Sequence, residues 1–228
     1  MLSQGFRACN FSLRLYNRSM EIQFIFSLAV LIMSVVIHEV SHGYAALFLG
    51  DKTAEYEGRL TLNPLKHIDM WGSVIFPAVS LLLGGFVFGW AKPVPYNPHN
   101  LRNQKWGEAI VAAAGPLTNL LLALIFAIVI RFASVLSLSQ SFTEMASYIV
   151  YINVLLAIFN AIPFPPLDGS KIIEPFLPLG LALKYRAVKN YMENLGLIGL
   201  FLCVFVFMQI FITPFSKVVM TVTHFLIG

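Results

Sequence analysis

The sequence HEVSH at positions 38–42 places two imidazoles and a carboxylate within five residues. In a helix, a separation of four residues puts His38 and His42 on one face, about 6 Å apart along the axis. That arrangement suits two ligands of one tetrahedral zinc ion, and Glu39 can reach a metal-bound water as a general base. The pattern therefore predicts a zinc site that activates water. The alternative is a pair of interfacial histidines at a helix end, since Gly50 follows only eight residues after His42.

A third metal ligand is predicted at Asp168, because a catalytic zinc ion usually takes three protein ligands and leaves one position for water. The other histidines are His67 and His99, in polar connections, and His224, in the C-terminal tail. Asp168 lies in the sequence PPLDG directly after an apolar run. Broken backbone at membrane depth must be buried by protein or line a wet cavity. The alternative role of Asp168 is the N-cap of a helix, and a carboxylate with two oxygens can fill both roles.

The composition of the chain is that of an integral membrane protein. Of its 228 residues, 58% are hydrophobic and 11% are charged, and the mean hydropathy is +0.78. Disorder needs low hydrophobicity and high charge, so this composition excludes it. A soluble domain carries about a quarter charged residues, and this chain has too few polar residues to cover a soluble surface. Two cysteines, Cys9 and Cys203, exclude a disulfide scaffold. The net charge of +4 comes from Lys and Arg spread over polar connections, so we expect a lipid bilayer and no nucleic acid as a partner.

Long apolar runs predict an all-α polytopic membrane protein with a bundle of about four to six transmembrane helices. The runs lie at 22–49, 71–90, 108–130, 145–162 and 195–213. Three parts of the chain follow from this pattern. We expect a poorly ordered N-terminal extension over 1–20, a membrane-embedded core over 21–190, and a C-terminal membrane helix and tail over 191–228.

The connection after the first run predicts a small β-hairpin or re-entrant element. Apolar residues alternate partly with polar ones between 53 and 62, and Gly58 breaks the pattern, which favours a hairpin. The run 71–90 contains four glycines and one proline, so it either crosses the membrane or re-enters and returns. If it crossed, the HEVSH motif and Asp168 would lie at opposite faces. A shared metal ion therefore favours the re-entrant model.

The distribution of basic residues predicts which side of the membrane the site faces. In the re-entrant model, the face with the metal-site motifs carries ten Lys and Arg residues, and the other face carries five. Loops rich in Lys and Arg stay on the cytoplasmic side. We therefore expect a multi-pass protein of the cell membrane with its site toward the cytoplasm.

Three motifs in a fixed order give the chain a specific resemblance. They are HEVSH in the first run, AAAGPLTN at 112–119 and FNAIPFPPLDG at 159–169. The chain thereby resembles the site-2 protease family of intramembrane zinc metalloproteases over roughly residues 25–175. The connections GRLTLNPLKHID and GWAKPVPYNP resemble the compact branch of that family, which lacks an inserted PDZ-type domain.

This resemblance implies a function and a role for each site residue. The family hydrolyses peptide bonds in or near the transmembrane segments of membrane proteins, which implies a transmembrane protein or peptide as substrate and one zinc ion per chain. By position, the resemblance makes His38, His42 and Asp168 the zinc ligands, Glu39 the base and Asn160 a stabiliser of the oxyanion.

Asn160 and the motif AAAGPLTN have further interpretations from their own chemistry. The NH₂ group of Asn160 is a donor for a developing oxyanion, or it pairs backbone carbonyls freed near Pro163. We expect Gly115 and Asn119 to be packing features, because small residues let helices approach closely.

Two other function classes fit the same sequence. A metal-handling membrane transporter would place further polar residues in the other apolar runs to form a path. A non-catalytic family member that binds membrane helices would have lost the base or a ligand, and all of them are present here.

Overall fold

The structure is a computed structural model that describes residues 2–82, 89–196, 209 and 211–228. The described residues are mostly helical and contain no β-strand. The α-helices are α1 (Leu2–Phe48), α2 (Thr53–Tyr56), α3 (Phe76–Leu82), α4 (Gly107–Arg131), α5 (Gln140–Asn160), α6 (Asp168–Ile173), α7 (Leu179–Asn194) and α8 (Ile212–Ile227). A π-helix (Met70–Ile75) precedes α3, and short 3₁₀ turns occupy Pro64–His67, Pro98–Asn100 and Glu174–Phe176. The predicted divisions of the chain near residues 20 and 190 stay predictions.

Three helices in the described residues are long and apolar enough to cross a membrane: Ile22–Phe48 of α1, α4 and α5. α4 packs against both α1 and α5, and α8 packs against α4 and α5. The all-helical fold is therefore confirmed, whereas the number of crossings, predicted as about four to six, is not. Much of the predicted run 195–213 lies outside the described residues.

Small and branched side chains hold α4, α5 and α8 together. Ala123 and Ala127 of α4, Val150 and Val154 of α5, and Val219 of α8 form one buried cluster. In a lipid bilayer, hydrophobic burial does not drive helices together, because the lipid is itself apolar. Alanine lets neighbouring helix backbones approach closely, so that van der Waals packing can hold them together. The resulting contact fixes α4 against α5, and these helices carry residues next to the candidate site.

The predicted hairpin over 53–62 is wrong, because Thr53–Tyr56 is a helical turn. The carboxylate of Asp51 accepts hydrogen bonds from the Thr53 N–H (3.3 Å) and the Thr53 hydroxyl (2.7 Å). Such local bonds from a side chain to the backbone favour a turn over an extended ladder. Gly58, at a φ of +61°, then reverses the chain without forming a second strand.

The two ends of the run 71–90 meet. The Trp90 N–H donates to the Gly72 carbonyl (3.1 Å), and the Ser73 hydroxyl donates to the Trp90 carbonyl (2.8 Å). A segment that crossed the membrane would have ends about 30 Å apart. Gly72 permits this approach, because a Cβ there would overlap the Trp90 indole. The described part of the run has the geometry of the re-entrant model, which brings the end of α1 and the start of α4 to one face.

Candidate active site

His38, His42 and Asp168 converge, although 126 residues separate the second histidine from the aspartate in the sequence. Nε2 of His38 lies 3.1 Å from Oδ2 of Asp168, and Nε2 of His42 lies 3.3 Å from the same oxygen. One ligand atom from each residue lies within 4.8 Å of the other two. The predicted metal-ligand set is therefore assembled in space.

The two histidines are inside the protein. His38 is 5% exposed and His42 is 8% exposed, and their rings stand at 88° with centroids 4.7 Å apart. Neither ring is therefore solvated. His67 is also buried, but its Nε2 pairs with the Thr61 carbonyl (2.9 Å) outside the site.

Asp168 reaches the histidines because α6 begins directly beneath the end of α5. Gly169 allows this, since a Cβ at that position would overlap the carbonyl oxygens of Ala161 and Ile162. Leu167 occupies the N-cap position of α6, and Asp168 is the first residue of the helix. The N-cap interpretation of Asp168 is therefore wrong, and its carboxylate faces the two imidazoles instead.

A second layer of hydrogen bonds orients both rings. Nδ1 of His38 lies 2.5 Å from Oδ1 of Asn119, and Nδ1 of His42 lies 2.7 Å from the Val111 carbonyl. Both partners are acceptors, so each Nδ1 carries the hydrogen and donates it. Each Nε2 then directs a lone pair toward the Asp168 carboxylate. Two nitrogen lone pairs and a carboxylate facing one another form a donor set that suits a divalent cation such as zinc.

Asn119 was expected to be a packing residue, but it continues a buried polar chain. Its Nδ2 donates to Oδ1 of Asn153 (2.8 Å), and Nδ2 of Asn153 donates to the Ser34 hydroxyl (3.0 Å). Asn119 and Asn153 are both fully buried. Polar side chains inside apolar helices are uncommon and point to a function, and that signal was available in the sequence.

Gly115 leaves the space that the rings of His38 and His42 occupy. A Cβ at this position would lie 2.6 Å from Cε1 and Nε2 of His38 and 2.6 Å from Cε1 of His42. Any larger residue would displace the rings. The glycine of the AAAGPLTN motif therefore makes room for the two imidazoles and does not only bring helices together.

Glu39 and Asn160 complete the predicted set, because both line the cavity of about 180 Å³ that contains the three ligands. Oε2 of Glu39 accepts a hydrogen bond from the Val94 N–H (3.0 Å). Nδ2 of Asn160 donates to the Leu156 carbonyl (3.0 Å), which uses one of its two hydrogens. The cavity has room for roughly six water molecules, so its lining groups can all approach one bound peptide unit.

Lys171 lines the same cavity and was not predicted from the sequence. Its ammonium lies 3.1 Å from the Tyr96 hydroxyl and 5.2 Å from the centre of the Tyr96 ring. Burial works to lower the pKa of Lys171, but Tyr96, Asp168 and Glu108 outweigh burial and the pKa is raised. A cation therefore stands beside the metal-ligand set. Lys171 follows Asp168 by three residues, about one helical turn, and this spacing could have identified it as a neighbour of the site from the sequence.

Comparison with known proteins identifies the class to which this site belongs. Residues 26–206 match the model of Peptidase family M50. The chain therefore belongs to Peptidase family M50, as the resemblance to site-2 proteases implies. With its three apolar helices, it is a membrane protein of that family.

Named relatives support the same placement. The chain is 36% identical over 196 residues to "Putative zinc metalloprotease YwhC" of Bacillus subtilis, which covers 83% of this chain and 81% of that protein. It is 32% identical over 162 residues to "Putative zinc metalloprotease Rip2" of Mycolicibacterium smegmatis, covering 68% of this chain and 58% of the relative. No solved structure matches the chain.

Proposed function

We propose that this chain is an intramembrane zinc metalloprotease that hydrolyses peptide bonds in or near the transmembrane segments of other membrane proteins. The observation that carries the proposal is the convergence of His38, His42 and Asp168 on one cavity with Glu39, between apolar helices. Membership of Peptidase family M50 supports the same reaction.

His38, His42 and Asp168 would hold the zinc ion. Their two nitrogens and one oxygen match the three-ligand pattern of catalytic zinc sites, which leaves a position for water. When bound, zinc supplies a Lewis acid that lowers the pKa of water to about 7 and polarises the substrate carbonyl. The Nδ1 bonds to Asn119 and the Val111 carbonyl hold the rings in the tautomer that this role needs.

Glu39 is the proposed general base. The Val94 N–H holds Oε2 and leaves Oε1 for the proton of the attacking water. Glu39 then carries that proton to the nitrogen of the leaving amine, so that no net proton is consumed. Asn160 has one hydrogen on Nδ2 beyond its bond to Leu156, and this hydrogen would donate to the carbonyl oxygen as negative charge develops there.

The substrate is proposed to come from the lipid bilayer. Apolar side chains such as Leu117, Leu121 and Ile128 of α4 are more than half exposed, which suits contact with lipid or with another membrane helix. A helical substrate hides its carbonyls in its own hydrogen bonds, so it must unwind locally to reach Glu39. The ratio of ten to five basic residues supports a site toward the cytoplasm.

The replacement Glu39→Gln tests the proposal. The purified chain in detergent is loaded with zinc and given a fluorescent transmembrane peptide, with Glu55→Gln on exposed α2 as the matched control. We expect Glu39→Gln to keep its zinc and lose about 10²–10⁴-fold in turnover, because only the base is changed. A chelator should stop the wild-type enzyme, and added zinc should restore it.

The outcome separates three function classes. Normal turnover by Glu39→Gln would refute the mechanism. Peptide binding without cleavage by the wild-type protein would indicate a non-catalytic member. Zinc movement across vesicles without cleavage would indicate a transporter.

A further inference from the structure

One peptide unit joins Glu39 to a buried arginine. The N–H of the Pro93–Val94 peptide donates to Oε2 of Glu39 at 3.0 Å. The carbonyl of the same peptide, on Pro93, accepts from Nη2 of Arg59 at 3.2 Å. Nη2 also donates to the Lys92 carbonyl at 2.9 Å. A guanidinium and the proposed base therefore bond to opposite ends of one peptide dipole.

Arg59 is an unusual residue in its own right. It is 5% exposed, and its Nε has no hydrogen-bond partner. Within the described residues it forms no ion pair. A buried charge without an opposite charge is costly, and neutral packing at this position would avoid the cost. Its Nη2 donates to two backbone carbonyls, those of Lys92 and Pro93.

The peptide that Arg59 holds is stiff. Pro93 has a fixed φ, and Pro95 restricts the preceding Val94 to an extended conformation. The segment also lies directly on α1, because a Cβ on Gly43 would be 2.8 Å from Cγ1 of Val94. Gly43 is one helical turn after Glu39, on the same face. A shift of the Pro93 carbonyl therefore moves the Val94 N–H that Glu39 needs.

We infer that Arg59 is a positioning residue for the general base, acting through the Pro93–Val94 peptide. This inference rests on the proposed function. Arg59 does not line the cavity, so it does not touch the substrate there. Its bond to the carbonyl polarises the peptide and strengthens the N–H bond to Glu39. It also fixes which Glu39 oxygen is occupied and which one faces the water.

A purely structural role for Arg59 would predict different results. An anchor for the connection would affect stability, zinc binding and substrate affinity together. A positioning residue should lower kcat while zinc content and KM stay close to wild type. The Val94 amide offers a second readout, because its exchange rate reports the bond to Glu39 even where no substrate is cleaved.

The test uses the full chain in detergent, loaded with zinc and labelled with ¹⁵N-valine. Arg59→Met removes the donors, Arg59→Lys keeps a positive charge with a poorer fit, and Arg102→Met is the control, since Arg102 is an exposed arginine. We expect Arg59→Met to lose about 10–100-fold in kcat at nearly constant KM, as a small misplacement does. We expect its Val94 amide to exchange about tenfold faster, and Arg59→Lys to change both readouts less.

An unchanged Val94 amide in Arg59→Met, or a kcat equal to that of Arg102→Met, would overturn the inference. If Arg59→Met does not fold, the same two measurements on Arg59→Lys decide, and wild-type values in both would again overturn it. If the wild-type chain cleaves no transmembrane peptide, the proposed function fails. The Val94 exchange rates then still decide whether Arg59 controls this bond.

Discussion

The two sides of the candidate site are built in different ways. On the metal side, the proposed ligands lie on α1 and α6, and the hydrogen-bond partners of the two histidines lie on α4. On the base side, Glu39 meets the irregular segment 92–97, which no helix contains. The first side is fixed mainly by the packing of helices, and the second by single side chains that hold a connection. Ligand geometry therefore depends on helix packing, whereas base geometry depends on a few hydrogen bonds.

Asp51 is the second anchor of the base side. It is fully buried at the end of α1 and accepts from the Asn97 N–H (2.8 Å) and from Nδ2 of Asn100 (2.8 Å). Burial works to raise the pKa of Asp51, but bonds from Asn100, Thr53 and Asn97 outweigh it and hold the pKa below its ordinary value. One carboxylate thus ties α1 to the segment that follows the Val94 peptide.

The largest expected effect comes from removing a ligand on the metal side. Asp168→Ala deletes the oxygen that lies 3.1 Å and 3.3 Å from the two histidine nitrogens. We expect zinc affinity to fall by more than the roughly 10–100-fold that loss of an outer hydrogen-bond partner costs, and cleavage to stop. Zinc per chain and peptide turnover are the measurements. Glu39→Gln should keep the metal, whereas Asp168→Ala should lose it. Full zinc occupancy in Asp168→Ala would therefore contradict the distinction between the two sides.

Asn160→Ala should have the next largest effect, on cleavage alone. Loss of an oxyanion donor costs about 10²–10³-fold in kcat, and zinc content should not change. The alternative is that Asn160 only pairs the Leu156 carbonyl, whose loss would cost about 1 kcal/mol of stability. A lower unfolding temperature with normal kcat would support that alternative and remove Asn160 from the mechanism.

Gly115→Ala probes how tightly helix packing fixes the ligands. The new Cβ would stand 2.6 Å from atoms of both His38 and His42, so the rings must move. We expect zinc affinity to fall about 10–100-fold, as for loss of an outer partner. Gly180→Ala is the control, because nothing lies within 4 Å of its Cβ position. Equal zinc affinities of Gly115→Ala and Gly180→Ala would show that the space at Gly115 does not fix the positions of the two rings.

The smallest effect is expected at the anchor of the base side. Asp51→Asn should lower stability by about 1–3 kcal/mol at neutral pH, because its donors lose a charged acceptor. Since the folded pKa of Asp51 is depressed, its contribution is complete above the unfolded value of about 4 and is lost as the pH falls through the folded pKa. Unfolding in detergent at several pH values measures this. A pH dependence identical to that of wild type would show that Asp51 does not tie the connection to α1.

The sequence predicted the metal side better than the base side for a physical reason. His38, His42 and Asp168 carry their chemistry in residue type and spacing, and an apolar helix makes such residues conspicuous. The carbonyls that Arg59 binds and the Asn97 and Asn100 donors of Asp51 lie 33 to 49 residues away, so no local pattern in the sequence predicts these bonds. The error over 53–62 has a local cause, because alternation suggested strands whereas the bonds from Thr53 to Asp51 support a turn.

Asn119 lies between these cases. Its position in an apolar helix marked it as unusual, but its partners on α1 and α5 follow only from the packing of the bundle. The return of the run 71–90 was inferred from the need for a common metal ion, and Gly72 permits the contact between its two described ends. The need for a shared metal ion therefore predicted the path of this run, which the periodicity of hydrophobic residues alone did not predict.

The polar chain from Ser34 through Asn153 and Asn119 to His38 has a consequence for biogenesis. These residues lie on the three helices that are long and apolar enough to cross a membrane, and the bonds that link them into one chain run between helices. If the helices enter the bilayer one after another, Asn119 lacks its Asn153 partner until α5 arrives. The imidazole of His38 gains its Asn119 partner when α4 packs against α1. Because Asp168 follows α5 in the sequence, the three proposed ligands can come together only after α5 has been made.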